Sequence, residues 1–316
     1  MSFLFRNPQV ERNAFVVTVL LATMSVACDN RPPAESGDNG DQPMVEAGAS
    51  NVACWGWRSE EFFEPPGGTF EEVSITTRWG CGLRANGEIE CWGDERIALS
   101  EHEPATGPFE AISIGGGMNC GLRADGTAVC WGPTAAEYPV PDGPFEMISS
   151  GQGYSRDFGW GCGVRPDGTA ECWGLSRYAG EMEPPSSAFK TISTGAHHAC
   201  GITTGGEVEC WGNDGWGQSS PPDGEFSMVS ASRRDFTCGI RASGEVECWG
   251  VGPHDETSPP EGEFEMVSAG NQHACGIRVG GEITCWGRNH EGQATAPSGR
   301  FAMLDSGRNT NCAVQR

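Results

Sequence analysis

The chain has 316 residues, with 43 acidic against 20 basic ones, a formal net charge of −23 and 15 cysteines. A body this acidic repels phosphate backbones, which argues against nucleic acid as a partner. So many cysteines imply an oxidising compartment rather than a reducing cytosol.

Residues 1–13 carry Arg6 and Arg12, and Ala14 to Ala27 form an apolar run of fourteen. That run is too short to span a bilayer and suits a signal-peptide core. Residues 1–27 are therefore predicted to be a signal peptide, cleaved before Cys28. Ser25-Val26-Ala27-Cys28 is similar to a lipobox, with serine where leucine is usual, and Ser-x-Ala also suits ordinary signal peptidase. Lipidation of Cys28 and plain secretion both stay open at this point. Residues 28–50 are rich in Pro, Gly, Asp and Asn without an apolar period, and read as a disordered tether.

From residue 51 to 316 the chain repeats. CGLRANGEIECWG begins at Cys81, and the same frame returns at Cys120, Cys162, Cys200, Cys238 and Cys275 in steps of 37 to 42 residues. Each frame holds a tripeptide ending in glycine between two short apolar runs. Pro166 fixes φ near −65° and excludes a type I′ turn, so a type I turn followed by left-handed glycine is predicted. That turn sets Arg165 against Thr169, Val164 against Ala170 and Cys162 against Cys172. The cysteines then fall on a close, non-hydrogen-bonded pair within disulfide reach. The same register sets Arg84 opposite Glu88 as a charge pair on the other face. A further strand lies about eleven residues before each first cysteine, as in Phe189 to Gly195 and Phe264 to Gly270. Periods near forty with three or four strands indicate a β-propeller.

Cys54 has the context of a second cysteine without a preceding partner, and Cys312 that of a first cysteine without a following one. Together they predict a seventh hairpin joining the two ends of the repeat region. The fold class expected is all-β: a seven-bladed propeller closed by pairing of N- and C-terminal strands, with one cross-strand disulfide per blade. The pairs are Cys54–Cys312, Cys81–Cys91, Cys120–Cys130, Cys162–Cys172, Cys200–Cys210, Cys238–Cys248 and Cys275–Cys285. Zinc is the rival reading of these cysteines, but its sites favour pairs two to four apart, which do not occur here. Seven pairs leave Cys28 alone, which favours a lipid anchor there.

Trp286-Gly287-Arg288-Asn289-His290-Glu291-Gly292-Gln293, and Trp211 to Gln218 with Asp214 for asparagine, carry a family resemblance. Over residues 51–316 the chain resembles the regulator of chromosome condensation repeat family, whose members are seven-bladed propellers closed by an N-terminal strand. The other repeats keep Trp-Gly and lose Gly-Gln, as in a cysteine-rich bacterial branch of lipoprotein type. The resemblance implies the fold and no particular function. The nucleotide-exchange role of eukaryotic relatives needs a cytoplasmic GTPase and is not carried over. Some bacterial relatives inhibit secreted enzymes.

In a propeller the tight hairpins lie on one face and the loops before each first cysteine on the other. Six of these loops run 11 or 12 residues from the preceding Phe, while the third runs 17, from Phe145 to Cys162. Its insertion holds Tyr154, Arg156, Asp157, Phe158 and Trp160, types that dominate binding hot spots. The bland alternative is a plug over the central channel. Trp79, His197, His198, Arg233, Arg234, Asp235 and His273 occupy the matching loops, with Trp216 on a connection at the same face. The tryptophans at 55, 92, 131, 173, 211, 249 and 286 recur with the blade period and are assigned to packing between blades.

No nucleophile elbow, phosphate loop or His-Glu-x-x-His helix is present. The resulting expectation is an exported envelope protein, periplasmic or cell-surface, or alternatively secreted. It would be monomeric, without catalysis, cofactor or metal, and would bind an unknown protein partner through the loop face. The alternatives are a carbohydrate-binding or carbohydrate-active propeller, a secreted enzyme inhibitor, and a passive structural protein.

Overall fold

Hairpins with a glycine-ended turn and β-branched, alternating flanks dictate antiparallel sheets, and that is what forms. The computed structural model describes residues 50–57, 64–94, 103–151, 158–176, 180 and 182–316. Among these, all regular elements are strands. The first, β1 (Val52–Gly56), is set aside for the last blade. Blade 1 is β2 (Glu72–Ile75), β3 (Trp79–Leu83) and β4 (Ile89–Gly93); blade 2 is β5 (Ala111–Ile114), β6 (Asn119–Leu122) and β7 (Ala128–Trp131). Blade 3 is β8 (Met147–Ser150), β9 (Gly159–Val164) and β10 (Ala170–Leu175); blade 4 is β11 (Phe189–Thr194), β12 (His198–Thr203) and β13 (Val208–Gly212). Blade 5 is β14 (Phe226–Ala231), β15 (Phe236–Arg241) and β16 (Val246–Gly250); blade 6 is β17 (Phe264–Ala269), β18 (His273–Arg278) and β19 (Ile283–Gly287). Blade 7 joins β20 (Phe301–Ser306) and β21 (Thr310–Gln315) to β1. The chain is a seven-bladed propeller with three strands per blade.

The turn chemistry works as expected. Gly168 has φ +86°, its N–H donates to Arg165 C=O at 2.8 Å, and Cys162 pairs with Cys172 in register. All seven disulfides form, six with a sequence separation of 10 and one, Cys54–Cys312, with 258. One detail differs from expectation. The Arg84 side chain does not pair with Glu88 but with Glu90, at 2.5 Å, while Glu88 takes a hydrogen bond from Asn86. Residues directly opposite each other at the turn diverge, whereas the diagonal neighbour two places on lies within reach of a long side chain. Arg165–Glu171 and Arg241–Glu247 repeat the pair, and each of the three guanidinium groups also lies over the Phe that precedes its blade's inner strand or begins it.

Packing energy sits between blades. Trp79, Cys81 and Leu83 of blade 1 pack against Phe109, Ile112, Ile114 and Trp131 of blade 2. Met147, Trp160, Cys162 and Val164 of blade 3 meet Phe189, Ile192 and Trp211 of blade 4. Each large apolar side chain buried this way contributes about 2 kcal/mol. The periodic tryptophans are 4–8% exposed, in agreement with their assigned packing role. In six blades the residue after the first cysteine is glycine, and the reason is steric: a Cβ on Gly163 would lie 2.5 Å from the Phe145 ring. Blade 7 has Ala313 at this place.

A polar belt, not anticipated from the sequence, ties the inner strands together. Ser74 Oγ accepts from Ile114 N–H (3.0 Å), Ser113 from Ser150 (2.7 Å) and Ser149 from Thr194 (3.0 Å). Ser193 accepts from Ala231 (2.8 Å), Ser230 from Ala269 (2.8 Å) and Ser268 from Ser306 (2.9 Å). Asp305 fills the seventh place and accepts from Ile75 N–H at 2.8 Å, completing the circle. Inner-strand backbones face the channel and cannot ladder to one another, so these buried N–H groups need side-chain acceptors. Burial pushes the Asp305 carboxyl up, opposed by the Ile75 hydrogen bond and the charge of Arg233.

Candidate functional site

The hairpin register decides which residues before each first cysteine are free to face solvent. Strands alternate faces, so a residue two places before the cysteine shares its buried face. Trp79, Trp160, His198 and His273 all stand at that place, opposite the glycines of the Trp-Gly dipeptides. All four are buried, between 0 and 3% exposed. The expectation that they line the loop face is therefore corrected: β3, β12 and β18 begin at Trp79, His198 and His273 and β9 one residue before Trp160, so all four belong to the blade interfaces. His198 Nε2 bonds Thr237 Oγ1 at 2.8 Å, and His273 Nε2 bonds Asn311 Oδ1 at 2.8 Å. Burial, helped by His197, lowers His198 to about 3. Burial also lowers His273, to about 4, against its bond to Asn311.

Arg233 is corrected in the same way. It is 3% exposed, and its Nη2 donates at 2.8 Å to the carbonyl of Ile75, reaching across the ring from blade 5 to blade 1. It braces the channel mouth and does not face a ligand. Phe158 is half-buried. Tyr154, Arg156 and Asp157, like Cys28, lie outside the described residues.

The remaining candidates converge. His197, Trp216, Arg234 and Asp235 line one cleft of about 470 Å³ on the loop face. The cleft also takes Asn213, Asn271, Gln272, Arg288, Arg308 and Asn309, which the sequence reading did not single out. It spans the loops of blades 4 to 7. Trp216 is 57% exposed, while each of the periodic tryptophans is nearly covered. Its loop is held rigidly: Gly215 N–H donates to Asn213 Oδ1 and Trp216 N–H to Gln218 Oε1, each at 2.8 Å. Asp214, in the signature's asparagine place, accepts from Ser219 N–H at 2.8 Å as Asn289 does from Ala294 at 2.9 Å. Arg288 is anchored by Nη1 on Gln272 Oε1 at 2.8 Å. Arg308 stands in the same loop slot as Asn271, a correspondence hidden by the split of the seventh unit.

The glutamine of the signature is structural. Gln218 C=O accepts from Trp249 Nε1 (3.0 Å) and Thr237 Oγ1 (2.9 Å), latching one connection to the next blade. Gln293 C=O does this for Trp55 at 3.1 Å. Glu256 does it for Trp286 at 2.8 Å, and Asp255 before it has φ +63° where Gly217 and Gly292 have +77°. Asp255-Glu256 is thus a disguised Gly-Gln. Residues 189–218 and 267–293, which end on Gln218 and Gln293, match a repeat model described as regulator of chromosome condensation. Those two stretches are similar to regulator of chromosome condensation repeats.

Solved structures agree on the fold. The CRINKLY WD40 ectodomain of the Arabidopsis thaliana receptor kinase ACR4 is 24% identical, with TM-score 0.61 over 77% of this chain and 92% of that one. The ectodomain of the Physcomitrella patens receptor kinase CR4 is 23% identical, with TM-score 0.61 over 74% of this chain and 68% of that one. Prp20p of Saccharomyces cerevisiae, whose structure was reported with its binding to Gsp1p and histones, is 11% identical, with TM-score 0.65 over 83% and 90%. No curated protein matches the sequence. Among the described residues, no group of three or more His, Cys, Asp or Glu could hold a metal ion. No helix there is long and apolar enough to cross a membrane. The seven disulfides point to an oxidising setting, extracellular or periplasmic.

Proposed function

We propose that this repeat propeller is an exported binding protein that engages another protein through its loop face, without catalysis of its own. The observation that carries this reading is the cleft between the loops of blades 4 to 7, where an exposed tryptophan stands on a rigid loop among arginine and amide side chains. Exposed Trp and Arg on a fixed scaffold are the residue types of binding hot spots. In the same reading, residues 1–27 direct export, Cys28 carries a lipid, and residues 28–50 hold a monomeric propeller away from a membrane surface. Inhibition of a secreted enzyme would be one form of such binding.

The test is a photo-reactive residue placed at Trp216 and, separately, at Asn86 on the hairpin face, followed by irradiation in envelope extract. A defined protein adduct from position 216 and not from 86 is expected. Identical adducts from both, or none from either, would overturn the loop-face reading. A second reading, glycan binding, draws on the same exposed indole beside planar amides. It predicts retention on polysaccharide columns that Trp216→Ala abolishes.

A further inference from the structure

On the hairpins three arginines are neutralised within their repeat: Arg84, Arg165 and Arg241 each hold a glutamate two places beyond the directly opposed residue, while Arg278 meets Thr284 there. At the loop-face cleft only one of three arginines has such a partner among the described residues. Asp235 is the only carboxylate among the lining residues, and it is occupied by Arg234 Nε at 3.3 Å. Among the described residues neither Arg288 nor Arg308 is paired with an acid, in a chain where acids outnumber bases 43 to 20. Three guanidinium groups share one cleft with Trp216, and Asn213, Asn271 and Asn309 add amide groups around them. The cleft is a basic spot on a protein whose field is otherwise negative.

We infer that this cleft receives an acidic peptide segment of the partner, its carboxylates taken by Arg288 and Arg308 and an adjoining apolar side chain laid on Trp216. The proposal rests on the loop-face binding reading and names the partner chemistry it requires. A guanidinium presents its donors in a fork that matches a carboxylate, and such charge-assisted pairs strengthen where the groups are partly withdrawn from water. The side-chain amides supply both donors and acceptors, which is what a peptide backbone needs on entering a polar groove. The acidic surround repels long polyanions while the cleft admits a short acidic stretch, so the surface selects by length as well as by charge.

The direct test uses a fluorescein-labelled decapeptide with glutamates around one leucine, titrated into the purified mature protein and followed by anisotropy. A matched peptide with glutamine for every glutamate, and an oligogalacturonate of similar charge, are run beside it. The glutamate peptide should bind saturably, with affinity falling steeply as salt rises. Arg308→Ala should weaken it about tenfold or more, Arg308→Lys less, and Trp216→Ala comparably to Arg308→Ala. Arg316→Ala, which removes the exposed partner of Glu265 away from the cleft, should leave it unchanged. Equal binding of the glutamine peptide, no binding at millimolar peptide, or an unchanged affinity in Arg308→Ala would each overturn the proposal. Binding of the uronate alone would replace it with an acidic glycan. A protein adduct at position 216 without peptide binding would leave the loop-face reading standing and sink the acidic ligand; Arg308-dependent peptide binding without an adduct would keep the acidic-segment cleft and sink an envelope protein as its source.

Discussion

Two doublets, His197-His198 and Arg233-Arg234, place identical side chains one residue apart and send them to opposite fates. His198 is sealed between blades 4 and 5 on Thr237, whereas His197 lines the cleft. Arg233 is locked across the ring on Ile75, whereas Arg234 stands exposed at the cleft rim. The interior member of each doublet is fixed by register or by the channel, and its chemistry is spent on the fold. The rim member instead lines the cleft. The interior and the rim should therefore respond to substitution in different currencies, stability for one and binding for the other.

The deepest interior constraint is ring closure. Cys54→Ser with Cys312→Ser should destabilise by about 5 kcal/mol in the chain-entropy view, against about 3 kcal/mol for Cys81→Ser with Cys91→Ser. Thermal melts under oxidising conditions would show it, and equal losses would mean that closure does not rest on the long-range bridge. The buried imidazoles come next. Their folded pKa values, about 3 and about 4, lie below the ordinary 6.5. Between pH 6.5 and about 4 the unfolded chain therefore binds more protons, and stability falls as pH falls through that window. His273→Gln should flatten this slope, removing about 3 kcal/mol of the pH-dependent loss by pH 4. Melting curves at both pH values would reveal it, and an unchanged slope would show that His273 is not held neutral. Ser230→Ala strands the Ala269 N–H in the inner belt and should cost about 1–3 kcal/mol by chemical denaturation. At the rim, Arg234→Ala and Trp216→Ala should each change stability by less than about 0.5 kcal/mol. A large loss there would erase the distinction between the two regions.

Much of the fold was legible because its determinants are local and periodic. A glycine-ended turn fixes the hairpin, the hairpin fixes the cysteine pair, and seven such pairs fix the ring. The belt was missed although its serine precedes the first cysteine by seven residues in four blades, since hydrogen bonds between blades have no local signature. The site was half legible. Loop lengths pointed to the face that carries the cleft, which His197, Trp216, Arg234 and Asp235 line. Counting loops from the cysteine, however, ignored that the strand starts two residues earlier, which is why Trp79, Trp160, His198 and His273 were misplaced. Arg308 was overlooked because its hairpin is divided between segments far apart in sequence. Asp255-Glu256 concealed a Gly-Gln because aspartate can hold the left-handed turn and glutamate shares glutamine's backbone carbonyl.

The split seventh blade also sets an order of assembly. Six hairpins and their disulfides can form as soon as ten consecutive residues past each first cysteine have emerged, but β1 must wait for a partner whose cysteine lies 258 residues downstream. The earliest strand of the propeller to be synthesised is thus the last to be seated. Until then the open ring exposes the flank of β21 and an unpaired thiol at Cys54, both invitations to a neighbouring chain. Folding of this protein is a race between the clasp and its wrong partners, and a thiol-exchange catalyst in an oxidising setting would decide the yield.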